Sequence, residues 1–373
     1  LLLIFDFGPL TFNGLEMENA MCGKGKLALI NSEKSIREAI EQLNENMLQI
    51  LLVVNENGEL LGTVTDGDIR RSILNNISLD KPISKIMNKN PKFVYQDEIG
   101  KAEALMAKHK IRNIPVVDAQ KKVLDLILIE DMLDIKDKYA AKSNQVFIMA
   151  GGKGTRLDPF TKILPKPLIP VGDKPIIELI MSSFNKYGFN NFIVSLNYKA
   201  EIIKLYFLEN ANGFNVSYTY EQEPLGTAGA LQLAKDRLKE TFIVSNCDVI
   251  IDVDFDKLLE YHHKNKNSAT IVGVVKHLQI PYGVIEVKDS KLAQMIEKPE
   301  YDFVINSGVY VLEPELLDLI PEGQPVNMPD LLLKAKGNGS KIGVYPVSTK
   351  WFDIGQWEEY QRTLEYFKKV EGI

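Results

Sequence analysis

Between Met149 and Pro175 the chain reads "MAGGKGTRLDPFTKILPKPLIPVGDKP". Gly151, Gly152 and Gly154 let successive backbone N–H groups close around anionic oxygens, with Thr155 in the same turn. Arg156 and Lys166 add charge-assisted donors suited to phosphate. The run directly follows an apolar segment, "QVFIMA", which is where a phosphate-binding turn belongs. It has neither the GxxxxGK[ST] spacing of a Walker A loop nor the GxGxxG of a dinucleotide fold, and by itself it is compatible with a plain tight turn. Histidine chemistry is not expected beside it. His109 belongs to the N-terminal half, His262 and His263 read as solvated positions in a polar helix, and His277 follows a strand without a metal-ligand partner at useful spacing.

The elements that must carry this loop alternate. "QVFIMA", "NFIVSLN", "NVSYTYEQE", "TFIVSNCD" and "ATIVGVV" read as strands, and "PIIELIMSSFNKYG" and "AEIIKLYFLENA" as amphipathic helices between them. Such alternation predicts an α/β fold, Rossmann-like, with a mostly parallel sheet covered on both faces and ligands outside the carboxyl ends of the strands. The closing "GQWEEYQRTLEYFKKV" places Trp357, Tyr360, Leu364 and Phe367 at helical spacing, as for core packing or a subunit contact.

The stretch from Gly151 to Pro175 resembles the signature of sugar-1-phosphate nucleotidylyltransferases, and the likeness continues in order to about Tyr360. "EPLGTAGAL" is similar to the base and ribose loop, with Gly226. "SNCDV" is similar to the strand end that holds a metal, and "YGVIE", "IEKP" and "NSGVYVLEP" to the sugar-binding wall. "FDIGQWEEY" is similar to the second metal motif, although Gln356-Trp357 departs from the more usual pattern. The resemblance implies transfer of a nucleotidyl group from an NTP to a sugar 1-phosphate, giving an NDP-sugar and pyrophosphate. It implies that Arg156 and Lys166 hold the triphosphate, that Asp248 and Asp353 hold Mg²⁺, and that Gly283, Glu297, Lys298 and Asn306 line the sugar and its phosphate. The nucleophile is ionised at pH 7, so positioning and charge neutralisation, not a general base, carry the expected chemistry. Guanine offers N1–H and N2–H₂ donors along one edge. Glu221 and Glu223 in "YEQEPLG" supply acceptors, so GTP is the expected substrate. The sugar is not legible; the joined architecture resembles guanylyltransferases of surface-glycan and nonulosonic-acid pathways, glucosamine 1-phosphate among their substrates. Two other readings are a non-catalytic nucleotide-sensing subunit of the same fold and a phosphocholine cytidylyltransferase-like enzyme.

The N-terminal half repeats itself at an offset of 63 residues without a gap: Ile36 falls on Ile99, Ala39 on Ala102, Leu43 on Met106, Val53-Val54 on Val116-Val117 and Asp68 on Asp131. Each unit reads helix, strand, glycine turn, strand, helix. The two units resemble tandem CBS (cystathionine-β-synthase-type) motifs. The resemblance places Thr65 and Asp68 of "GTVTDGDI" on the ribose of a regulatory purine nucleotide, with Arg70 or Arg71 available to its phosphate. The second unit departs, with Asp125 for the glycine and Leu128 for the threonine, so one ligand per pair is expected. A spacer or dimer surface is the bland alternative.

The 373 residues, 45% hydrophobic and 25% charged, favour more than one domain. The expected division is an extension over 1–26, a CBS pair over 27–137 (27–79 and 80–137), a linker over 138–144 and the transferase over 145–373. A net charge of −6 supplies no basic field for nucleic acid. Cys22 and Cys247 have no metal or disulfide framework around them, and a reducing cytoplasm is the expected location. "LLLIFDFGPLTFNG" is broken by Asp6, Gly8 and Pro9, too short to span a bilayer, and read as a processed or appended end without function. No membrane partner is expected, and the assembly is expected to be a homo-oligomer.

Overall fold

The computed structural model describes residues 24–46, 48–109, 111–128, 140–210 and 213–371. Cys22, Asp131 and positions 129–139, which include the start of the expected linker, lie outside them. Contacts divide the chain into two compact units after position 138. No helix among the described residues is long and apolar enough to cross a membrane.

The first unit consists of two three-stranded sheets. β1 (Leu29–Asn31), β2 (Ile50–Val54) and β3 (Leu60–Thr65) form one; β4 (Val94–Tyr95), β5 (Asn113–Val117) and β6 (Val123–Leu128) form the other. β5 and β6 begin 63 residues after β2 and β3, and the irregularity between Val53 and Val54 recurs between Val116 and Val117. The two repeats of this unit meet through reciprocal ladder bonds: Leu60 N donates to Lys121 O at 2.9 Å and Val123 N to Gly58 O at 3.1 Å, again 63 apart. Ala28, Ile50 and Leu52 of one repeat share a core with Leu126 and Leu128 of the other. Two half-sheets, neither able to bury its apolar face alone, thus form one pseudo-symmetric module.

A glycine is exchanged within this symmetry. In the first unit a Cβ on Gly62 would sit 2.6 Å from Asn88 O; in the second a Cβ on Gly25 would sit 2.6 Å from Asp125 Cα. Gly62 corresponds to Asp125 and Gly25 to Asn88, so each close approach keeps one glycine but on opposite partners. The departure at Asp125 is therefore a packing feature: its carboxylate is buried and accepts from Gly25 N at 2.9 Å and from Leu126 N at 2.8 Å.

In the second unit β7 (Lys142–Met149) is followed by a short ribbon of β8 (Pro170–Val171) and β9 (Lys174–Pro175). Then come β10 (Phe189–Leu196), β11 (Asn215–Tyr220), β12 (Phe242–Asn246), β13 (Val249–Ile251), β14 (Ala269–Gln279), β15 (Val284–Lys288), β16 (Lys291–Ile296), β17 (Glu300–Leu312), β18 (Ile342–Val347) and β19 (Trp351–Asp353). The main sheet has the order β11-β10-β7-β12-β17-β14-β18. All neighbours are parallel except those of β17, which runs against both β12 and β14. Alternate residues of β7 enter opposite cores: Val146 and Ile148 pack with the helix Ile176–Asn185 on one face, Phe147 with Leu331 and Leu332 on the other. Burial on both faces is why these strands read as continuous apolar runs. β14 outlasts the expected "ATIVGVV" by four residues, because its end pairs with the start of β17 and projects from the sheet.

Candidate active site

β7 and β12 run parallel with Ser245 opposite Ile148 and Asn246 opposite Met149. Their carboxyl ends therefore release the glycine loop and the Asp248 turn side by side. A second, two-stranded pairing closes the site: Val249 of β13 stands opposite Asp353 of β19, and Ile354 N donates to Asp248 O at 2.8 Å. Two residues over a hundred positions apart are thus fixed by backbone register, not by flexible side chains.

Lys166 Nζ is 2.5 Å from Asp248 Oδ2, and the two side chains are only 8% and 19% exposed. Gly154, with φ of +66°, permits this approach, since a Cβ there would lie 2.8 Å from Lys166 Cβ. Asp353 is half-buried. Burial first, then the neighbouring Asp248 carboxylate, raises its pKa, while Lys166 and Arg156 act in the opposite direction. Gly355 marks where Arg156 crosses this cluster: a Cβ would be 2.8 Å from Asp353 Oδ1 and 3.4 Å from an Arg156 guanidinium nitrogen. Arg156 is exposed and makes no ion pair among the described residues. Two carboxylates brought together in a half-buried setting form a hard-oxygen donor set that fits a divalent cation such as Mg²⁺. Cys247, next in chain to Asp248, is buried, and burial followed by the Asp248 charge pushes its thiol up to about 12. It is inert there.

The base-loop candidates are held by contacts within the protein. Glu221 Oε1 accepts from Ser195 Oγ at 2.7 Å, and Oε2 from Leu225 N at 3.0 Å. A Cβ on Gly151 would be 2.6 Å from Oε1. Glu221 thus braces the loop against Gly151, and Glu223 stays exposed. Gly226, at φ +75°, lies where a Cβ would meet Val326 O at 2.6 Å; Ala228 N donates to that carbonyl at 2.8 Å and Met328 N donates to Thr227 Oγ1 at 2.7 Å. Gly152 and Thr155 are exposed in the glycine loop.

Along the expected sugar wall, Gly283 and Glu297 are neighbours: a Cβ on Gly283 would be 2.9 Å from Glu297 Oε2. Lys298, at φ +45°, is exposed. Asn306 donates to Tyr310 OH at 2.6 Å and accepts from Gly308 N at 3.1 Å. Several positions that sequence reasoning passed over organise the site. Lys199 donates to the carbonyls of Thr161, Lys162 and Ile163 at 3.2, 2.6 and 2.8 Å, which closes the short helix after the glycine loop. Ser195, Asn197 and Gly355 hold Glu221 or make room for Arg156. The available signal was their position at or just beyond the carboxyl ends of β10 and β19.

Two histidine expectations are corrected. His262 is fully buried, with Nδ1 2.8 Å from Thr270 Oγ1 and Nε2 3.0 Å from Glu313 Oε1. Its helix, Phe255–Lys264, packs that position against the sheet. Burial chiefly lowers its pKa. His277 lies within β14 and stands 3.1 Å from Asp302 across the ladder. In the first unit, Asp68 is buried; its Oδ2 accepts from Thr65 N at 2.8 Å and Thr65 Oγ1 at 2.7 Å, and its Oδ1 is 2.5 Å from Arg71. These contacts cap the helix Asp66–Leu74. Arg70 pairs with Asp66.

The nucleotidyl transferase family model matches residues 145–369, and the CBS domain model matches residues 26–75 and 83–138. The mannose-1-phosphate guanyltransferase of Yarrowia lipolytica is 37% identical over 225 residues, covering 57% of this chain and 61% of that protein. The UTP--glucose-1-phosphate uridylyltransferase of Synechocystis sp. is 31% identical over 241 residues, covering 59% of this chain and 62% of that protein. The chain thus spans about three fifths of the length of these curated relatives. The crystal structure of HddC from Yersinia pseudotuberculosis superposes with a TM-score of 0.50 at 29% identity, over 60% of this chain and all of that one.

Proposed function

The chain belongs to the nucleotidyl transferase family and carries two CBS domains ahead of the family's domain, and from that premise we propose that it joins a nucleoside triphosphate to a sugar 1-phosphate. The convergence of Arg156, Lys166, Asp248 and Asp353 at the carboxyl ends of β7 and β12 carries the reading. A phosphate oxygen of the sugar 1-phosphate attacks the α-phosphorus. The bond from α-phosphorus to the bridging oxygen breaks, and pyrophosphate departs with that electron pair. No proton must be removed from the nucleophile, which agrees with a site that contains no histidine. The glycine-loop N–H groups bind the triphosphate oxygens, Arg156 reaches over them, and Lys166 is aimed by its ion pair with Asp248.

Charge balance supports a metal. Lys166 and Arg156 offset Asp248 and Asp353, leaving the cluster near neutral toward a polyanion. A divalent ion held by the two aspartates would add positive charge and orient phosphate oxygens. Mg²⁺ is the proposed ion. Gly283, Glu297, Lys298 and Asn306 are the proposed contacts to the sugar and its phosphate.

The base is proposed to be guanine, in line with relatives named mannose-1-phosphate guanyltransferase. Because Glu221 braces the loop, Glu221→Ala should slow turnover with every nucleotide, by about 1–3 kcal/mol, rather than merely relax base choice. The CBS pair is proposed to bind one purine nucleotide beside Thr65 and Asp68 and to adjust activity modestly. The test is pyrophosphate release with GTP, UTP, dTTP, CTP and ATP against mannose, glucose and glucosamine 1-phosphates. GTP should give the highest kcat/KM. Equal values for GTP and UTP would refute the base assignment, and no release from any pair by folded protein with Mg²⁺ would refute the reaction.

A further inference from the structure

The ends of β14 and β17 leave the main sheet as a ladder, with Lys276 opposite Phe303 and Leu278 opposite Tyr301. The ladder continues through Ile280 N to Pro299 O at 3.0 Å and then into the β15–β16 hairpin. Asp289 and Ser290, at φ +49° and +61°, supply the two-residue turn whose twist suits a tight hairpin. Cross-strand register puts Ile285 opposite Met295 and Val287 opposite Leu292. Directly opposed residues share a face, so these four form one apolar side, across a bulge at Ala293, and Glu286, Gln294, Lys288 and Lys291 form the other, with Val284 and Ile296 paired at its base. Alternation of this kind marks a sheet with one buried face. Yet Ile285, Val287, Leu292 and Met295 are 55%, 69%, 63% and 59% exposed. Leu278, Tyr282, Tyr301 and Phe303 on the same arm are exposed too, and Tyr301 and Phe303 stack on each other. A two-stranded hairpin with none of the described residues of its own unit packed against its apolar face is marginal in water.

We infer that this arm is the contact by which two copies of the chain associate, hairpin face against hairpin face. Three observations favour a second copy over a different partner. The four side chains of the hairpin face and the four exposed on the adjoining part of the arm, at roughly 100 Å² each, offer up to about 800 Å² per protomer, the area of a standard stable interface. Residues 276–303 carry four lysines (Lys276, Lys288, Lys291, Lys298) and five acids (Glu286, Asp289, Glu297, Glu300, Asp302), so the rim is nearly neutral and mixed. It can meet itself without like-charge repulsion but offers little to a strongly charged partner. A hairpin with one apolar face is also of the kind that stacks on its own copy, sheet on sheet. The arm carries Gly283 and Glu297, so association would also steady the proposed sugar wall, although the inference does not depend on that role.

Sedimentation velocity of the full chain at micromolar concentration tests the inference. The parent should sediment as an even-numbered assembly. Val287→Lys combined with Leu292→Glu preserves a cross-strand pair within the hairpin while placing charge in the contact. It should weaken association at least about 100-fold and halve the assembly, with circular dichroism unchanged. Ile285→Gln, milder and on the same face, should weaken association less. A monomeric parent, with the arm covered within its own chain or not at all, overturns the inference, as does a folded double variant that keeps the parental mass.

Discussion

Replacing Asp248 by Asn separates what the Lys166–Asp248 pair does for the fold from what it does for the reaction. The pair lies at 2.5 Å with both side chains largely desolvated. Removing one partner of a buried pair costs about 3–5 kcal/mol when the remaining charge is left alone. Here Asp353 remains close enough to feel both Asp248 and Lys166, so part of that cost is recovered and about 2 kcal/mol is a reasonable expectation. For a unit of this size, that lowers the melting temperature by about 4–8 °C. Activity should fall much further, by about 100-fold or more, because the carboxylate that aims Lys166 and is proposed to hold the metal is lost. Lys166→Met added to Asp248→Asn removes both charges. The double variant should regain most of the stability and none of the activity. Melting followed by calorimetry and kcat from pyrophosphate release are the assays. A single variant that melts with the parent and turns over normally would show that the pair is neither desolvated nor part of the chemistry.

Acidification should destabilise the protein partly through His262. Its folded-state pKa is lowered by burial, so below the ordinary value of about 6.5 the unfolded chain binds the proton first and stability falls as pH falls. His262→Gln should melt lower at pH 8 but show a flatter pH profile, and an unchanged slope would contradict this. Cys247 should resist iodoacetamide in native protein at pH 8 and react once unfolded, as read by peptide mass spectrometry; rapid native labelling would rule out its raised pKa. Gly355→Ala should push on both Asp353 and Arg156 and reduce kcat by about 10–100-fold with little loss of stability; parental kcat would show that the two side chains do not need that close approach.

What could be read from sequence followed from periodicity and order. The strands β7, β10 and β12 stood out as apolar runs because they are buried on both faces, and the glycine loop stood out because it follows the first of them. The roles of Glu221 and His262 were not legible for a common reason. Each is decided by groups distant in sequence: Ser195 and Gly151 for Glu221, Glu313 for His262. A polar helix face can still bury one histidine when a carboxylate at a strand's end waits beneath it, and no spacing along the chain reports that. The β15–β16 arm was read only as part of the sugar wall, since its alternation resembles that of any half-buried hairpin and exposure is not a property of sequence.

The CBS repeat shows how a departure from a motif can be misassigned. Asp125, standing where the first unit has Gly62, suggested a damaged ligand cleft. In the fold it answers a different requirement, close approach to Gly25, which the first unit meets with Gly62 against Asn88. Exchanging the glycine between partners keeps both contacts, so Asp125 by itself says nothing about ligand binding. Leu128 differs in kind. Its counterpart Thr65 donates to the carboxylate that caps a helix, whereas Leu128 is buried in the core shared by the two units. A hydroxyl that could reach a ribose is replaced by an alkyl group committed to packing. Among the described residues, the asymmetry of the ligand cleft therefore rests on positions 65 and 128. Restoring threonine at 128 should cost core stability of about 1–3 kcal/mol before it could offer a second binding cleft.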